Sequence, residues 1–237
     1  MEPAPESIPA IVLARLDSTR LPRKALADLG GRPLVAAAIE RARAARLGPV
    51  ALASTGRPVD ADLAAWARDA GIPLFRDDAD VSDVAGRLLR AAGALAPRAE
   101  WIARVNADSP FLDPRLLRAG AALITPGTDY VTNLIPRTYP YGVAVELLRV
   151  SALRRFADAG LTAEEREHAT LALRTRLPAA RIASLPPCPF ALADERLTVD
   201  TPHDLDRLRA IVKDAGPAWT KKSYAQLLRA HQTGAPA

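Results

Sequence analysis

An alternation repeated four times in the first half of the chain constrains its fold most. A short apolar run gives way to a polar loop, and the loop to a stretch with apolar residues at helical spacing. Residues 8–14, 50–54, 72–75 and 101–105 read as strands, and residues 33–47, 60–70, 83–95 and 114–124 as the helices that follow them. Pro33 suits a first helical turn, Gly48 and Gly71 end helices, and Ser82 is the expected N-cap of the third helix. Continuous apolar strands alternating with helices imply an α/β fold, a doubly wound and mostly parallel sheet covered on both faces. Ligands of such sheets bind beyond the carboxyl ends of the strands.

The regularity changes after the fourth helix. Strands are expected at 129–133, 143–148 and 180–185, with helices at 151–159 and 163–177 between the last two. This segment reads as an inserted α/β cap or dimerisation segment, at about residues 135–180. The chain then returns with "RLTVDTPHDL", a strand ending at Asp200 and a helix from near Pro202, and a last amphipathic helix spans about 220–231. A single domain over 8–232 is expected, with flexible tails at 1–7 and 233–237.

Charge gathers in one place. The loop after the first strand carries Arg15, Arg20, Arg23 and Lys24 against the single acid Asp17. In that position backbone N–H groups and cationic side chains can share the charge of a polyphosphate. Neither the P-loop pattern nor G-x-G-x-x-G is present. Asp108, in "RVNADSP", and Asp200, in "LTVDTP", would emerge on the same sheet edge. Taken singly, Asp108 reads equally well as a turn residue and Asp200 as a helix cap. Beside the basic loop, the better reading is a carboxylate pair holding Mg²⁺ together with substrate phosphate oxygens.

A net charge of +5 suits an anionic small substrate, and the basic loop lacks the interleaved aromatics that stack nucleic-acid bases, so no nucleic-acid partner is expected. Cys188 is the only cysteine, which excludes a disulfide framework or a cysteine zinc site within one chain. No apolar run reaches about 18 residues, and the acidic, Pro-rich start is unlike a signal peptide. A cytoplasmic protein with no membrane association is expected.

The stretch "ARLDSTRLPRKALADLGGRPLV" resembles the N-terminal signature of cytidylyltransferases that activate sugars as CMP conjugates. The spore-coat-polysaccharide type is the nearest in pattern; CMP-Kdo and CMP-acylneuraminate synthetases are more distant. The resemblance continues in order through "SDVAGRL", "RVNADSPFLDP", "DYVTNLIPRTYPYGVAVELL", "EREH" and "RLTVDTPHDL". It implies a nucleotide-diphospho-sugar-transferase-type fold and Mg²⁺-dependent transfer of CMP from CTP to a sugar or sugar-acid acceptor, with release of pyrophosphate. It further implies that Arg15 and Lys24 bind the triphosphate with Ser18 and Arg20, and that Leu13 and Ala14 approach the base. Ser82, Asp83, Arg87, Arg104 and Asn106 would lie near the nucleoside. Asp108 and Asp200 would hold the metal, and Tyr139, Glu146, Arg166, Glu167 and His168 the anionic or sugar-like acceptor. If the acceptor is a hydroxyl, which benefits from a base, His168 is a candidate for that role and reads equally well as a helix-surface or packing histidine. Such relatives are often homodimers joined through the insertion; the apolar stripe in "ATLALRTRL" suits either that interface or packing on the sheet.

The pattern departs from the family at four positions. Arg23 and Ala107 stand where Gly is usual, and Tyr141 and Ala144 where acids are usual. The first puts the shape of the phosphate loop in question, and the last two the acceptor. The remaining alternatives are another nucleoside triphosphate, a non-sugar acceptor such as a phosphonate, or a non-catalytic nucleotide-binding relative.

Overall fold

A computed structural model describes residues 7–233. Its centre is a seven-stranded sheet in the order β3-β2-β1-β4-β6-β5-β7. The strands are β1 (Ala10–Leu13), β2 (Val50–Thr55), β3 (Leu74–Asp77), β4 (Trp101–Asn106), β5 (Tyr130–Thr132), β6 (Glu146–Arg149) and β7 (Ile182–Ser184). The first four pair in parallel. β6 runs antiparallel to both β4 and β5, and β7 is parallel to β5. The segment that breaks the alternation therefore extends the same sheet.

The helices are α1 (Leu34–Ala44), α2 (Ala61–Asp69), α3 (Val84–Leu95), α4 (Pro114–Ala121), α5 (Val150–Ala159), α6 (Ala163–Glu167), α7 (Leu171–Arg176), α8 (Pro202–Ala215) and α9 (Tyr224–Thr233). Alternate side chains of β1 enter different cores, as the strand period requires. Val12 packs with Val35 and Ile39 of α1, whereas Ile11 and Leu13 pack with Leu88 of α3 and Leu153 of α5. A third cluster joins α8 and α9 to Phe111, Leu197 and Trp219. None of the described helices is long and apolar enough to cross a membrane.

Four local expectations change. Asp83, whose carboxylate accepts from the Gly86 N–H, caps α3; Ser82 instead bonds to Asp80. The helix expected over 163–177 breaks at His168, the C-cap of α6, and resumes at Leu171. The strand expected over 143–148 begins only at Glu146, because the Val143 carbonyl and the Val145 N–H are bound by the Asn133 side chain rather than a ladder. The stretch leading to Asp200 makes only an isolated bridge, between Tyr141 and Arg196. The "ATLALRTRL" stripe is consumed within the molecule, since Ala169, Ala172 and Leu173 are buried in the core beside α5. The expected tails fall mostly outside the described residues; within them, Ser7 is exposed and Thr233 ends α9.

Candidate active site

Two cavities open along the carboxyl edge of the sheet. The first, of about 300 Å³, is lined by the loop after β1, the start of α3 and the end of β4. Leu13, Ala14, Arg15, Ser18, Arg20, Lys24, Arg87 and Asp108 all face it. Lys24 stands at the start of a 3-10 turn, Lys24–Leu26, that carries its side chain inward. Its ammonium donates to Asp108 Oδ2 at 2.9 Å, Asp200 Oδ1 at 3.1 Å and the Val199 carbonyl at 3.1 Å. Burial alone would lower the Lys24 pKa, but the two carboxylates outweigh it and hold the pKa above its ordinary value. Arg20 reaches the same Asp200 oxygen at 3.0 Å, and Arg196 stands 3.8 Å from the other.

Asp108 and Asp200 thus converge on one cation, although 92 residues of sequence separate them. Hard carboxylate oxygens gathered around a positive charge suit a divalent metal that completes its shell with phosphate oxygens. Among the described residues no cluster of three or more His, Cys, Asp or Glu forms a metal site on its own. A metal here would need the nucleotide as a further ligand.

Arg23 keeps the glycine-like shape in spite of its side chain. It sits in the left-handed region at φ 61°, ψ 19°, its N–H bonded to the Leu16 carbonyl at 2.8 Å. Its guanidinium leaves the cavity for an exposed pair with Asp62 at 2.7 Å. Ala107 is buried without positive φ and its N–H bonds to the Leu13 carbonyl, so its methyl group is accommodated.

The second cavity, of about 430 Å³, adjoins the first: Asp108 lines one and Ser109 the other. Arg104, Asn106, Glu146 and His168 line it, so Arg104 and Asn106 face this cavity and not the one lined by Leu13 and Ala14. Glu146 is almost fully buried and spends both oxygens on protein donors, accepting from Arg104, Thr170 and the Tyr130 hydroxyl. Burial would raise its pKa; Arg104 and the hydrogen bonds more than offset that and keep it below the usual range. The donors Arg104 Nε and Arg174 Nε and the hydroxyl Thr198 Oγ1 are buried here without hydrogen-bond partners. At the rim, Tyr141 lies between the guanidiniums of Arg137 and Arg196, 4.0 and 4.8 Å from its ring centroid. Gly142 makes this rim possible: its φ is +92°, and a Cβ would lie 2.5 Å from the Leu197 carbonyl oxygen.

The remaining candidates lie outside both cavities. Tyr139 is buried in the third core and donates its hydroxyl to the Pro186 carbonyl. Arg166 extends toward Asp83 at 3.9 Å, and Glu167 is exposed on α6. Ser82 and Asp83 flank the first cavity as part of the α3 cap. Arg137, Arg174 and Thr198 escaped sequence reasoning. Arg174 lies on the "ATLALRTRL" helix, whose one visible signal is its apolar face.

A doubly wound sheet whose first loop aims cations at a carboxylate pair, beside a second polar cavity, is an arrangement suited to a nucleoside triphosphate. Residues 9–228 match the family model described as cytidylyltransferase. The chain is 31% identical over 239 residues to a 3-deoxy-manno-octulosonate cytidylyltransferase of Azorhizobium caulinodans, covering 85% of this chain and 94% of that protein. It is 29% identical to the spore coat polysaccharide biosynthesis protein SpsF of Bacillus subtilis, covering 87% of this chain and 86% of that one. A solved cytidylyltransferase structure from Leptospira borgpetersenii superposes with a TM-score of 0.86 at 23% identity, over 96% of this chain and 94% of that one. A Mycobacterium tuberculosis protein solved in complex with manganese shares the fold at TM-score 0.59 and 22% identity, over 87% of this chain and all of that one. The chain belongs to the cytidylyltransferase family and is a CTP-dependent nucleotidyltransferase.

Proposed function

We propose that the protein transfers CMP from CTP to a sugar-acid acceptor and releases pyrophosphate in a divalent-metal-dependent reaction, with Mg²⁺ as the expected ion. The observation that carries this reading is the convergence of Asp108 and Asp200 on Lys24 where the two cavities meet. The triphosphate would lie in the first cavity on Arg15, Ser18, Arg20 and Lys24. The base would face Leu13 and Ala14, with Arg87 beneath. A metal held by Asp108, Asp200 and the phosphates would supply Lewis-acid charge neutralisation.

The chain's own work is alignment and electrostatics. An acceptor oxygen attacks the α-phosphorus, its bond to the bridging oxygen breaks, and pyrophosphate departs with the electron pair. Fixed cations placed where that charge grows lower the barrier without reorganising. The second cavity fits an anionic acceptor, because Glu146 is fully engaged while Arg104 Nε and Arg174 Nε have no partners. For a hydroxyl nucleophile, Glu146 is a poor base, being hydrogen-bonded and held ionised by Arg104. His168 lines the same cavity, and its imidazole is the proposed general base for such a nucleophile.

Purified protein given CTP, Mg²⁺ and a panel of sugar acids that includes 3-deoxy-manno-octulosonate is expected to release pyrophosphate far above an Asp108→Asn control. Equal release by both proteins across the panel would overturn the assignment.

A further inference from the structure

The loop that would cradle the triphosphate has no regular structure between Ala14 and Arg23, yet its shape decides where Arg15 and the backbone N–H groups point. What holds it lies in the connection between β2 and α2. Asp60 stands at the N-cap position of α2 but makes no capping bond with its own helix. Its carboxylate is fully buried and turns instead to the loop, accepting the Leu16 N–H at 2.6 Å. A buried carboxylate needs several partners to remain. Asp60 has them in the Thr55 hydroxyl and in Arg57, whose Nη2 lies 3.5 Å away.

Arg57 extends the frame. The same nitrogen lies 2.7 Å from Asp17 Oδ2, and the other Asp17 oxygen faces Arg15 Nε at 3.4 Å. Leu16 is tied on both sides: its N–H goes to Asp60, its carbonyl accepts from Arg23, and its side chain is buried. A path of contacts therefore runs from the buried Asp60 to Arg15, one of the cations expected to hold the triphosphate.

We propose that Asp60, with Arg57 as its extension, is a positioning residue for nucleotide binding. It fixes the backbone at Leu16 and, through Asp17, the direction of Arg15. Asp60 is not among the residues that line the first cavity; its hydrogen bonds reach that lining through Leu16 and through Arg57 and Asp17. This inference rests on the first cavity being the CTP site.

The test compares Asp60→Ala, Asp60→Asn and Arg57→Gln with the wild type in the full chain. It reads amide exchange of the loop without ligand, CTP binding by calorimetry, and KM for CTP separately from kcat. Loss of a hydrogen bond to a charged group should raise the CTP dissociation constant and KM of Asp60→Ala about tenfold or more. Exchange at the Leu16 and Arg23 amides should quicken. Asp60→Asn keeps an acceptor for Leu16 and should recover most of the affinity. Arg57→Gln touches no buried backbone and should raise KM with little change in thermal stability. Wild type that fails to bind CTP breaks the assignment of the cavity; unchanged loop exchange in Asp60→Ala breaks the positioning role by itself. Normal CTP affinity in folded Asp60→Ala, or a loss of stability without a change in KM, also overturns it.

Discussion

The two cavities handle charge in opposite ways. In the first, Lys24 pairs with Asp108 and shares Asp200 with Arg20 and Arg196, and the ammonium and both carboxylates retain 18–26% exposure of their side chains. In the proposed reaction a polyphosphate and a divalent metal would take over both sides of each pair, so those partners need to be exchangeable. In the second, Glu146 retains 1% exposure and binds three protein donors at once, so its pairing with Arg104 survives whatever enters. Binding a highly charged nucleotide calls for groups that can release one another. Shaping a pocket around an acceptor calls for one charge locked in place.

The largest expected effect breaks the locked pair. Glu146→Gln leaves the Arg104 guanidinium buried without its counter-charge and should cost about 3–5 kcal/mol of stability by denaturant unfolding. The sign in pH follows from the lowered Glu146 pKa. Its stabilisation is present above the ordinary glutamate value and is lost as pH falls through the depressed one, so the wild-type advantage over Glu146→Gln should shrink in acid. Equal losses in Glu146→Gln and Lys24→Met would erase the distinction between the cavities.

Lys24→Met should instead strike activity. Pyrophosphate release is expected to fall about 100-fold or more, as when a charge stabilising the transition state is removed, while stability drops by only about 1 kcal/mol. Without nucleotide, the variant should bind Mn²⁺ more tightly than the wild type in a calorimetric titration, since the competing ammonium is gone. The raised Lys24 pKa means that its stabilising pairs persist at neutral pH and are lost only as pH climbs through that raised value.

A third effect sharpens the acceptor side. Arg174→Gln should lower kcat/KM for an anionic acceptor about ten- to a hundredfold, with KM for CTP unchanged, because it removes one charged hydrogen bond. The smallest effect concerns the loop. Arg23→Gly relieves a left-handed non-glycine residue and loses only an exposed ion pair, so it should stabilise the protein by less than about 1 kcal/mol. A loss on thermal unfolding would show the Asp62 pair to outweigh the strain.

β1, β2, β4 and the helices were legible because burial on both faces leaves continuous apolar runs and helical spacing survives in a single sequence; β3, at the sheet edge and only partly buried, begins at Leu74 rather than at 72. The basic loop was legible for a similar local reason: its cations are neighbours in the chain. The resemblance pointed to Glu146 and His168, which line the second cavity; Arg174 and Thr198 line it too but sit in segments whose local pattern records only packing. Asp60 was hidden by its position, where a carboxylate reads as an ordinary helix cap.

The sequence by itself determined the alternation of strands and helices, the family pattern and the set of charged groups at the strand ends. Only the tertiary structure decided that β6, β5 and β7 lengthen the main sheet, that Lys24 meets acids 84 and 176 residues away, and that Asp60 reaches a loop 44 residues before it. Periodicity is a property of neighbours along the chain. The partner of a charge is chosen by which strand ends the sheet brings together, and by the free-energy cost of leaving that charge buried alone.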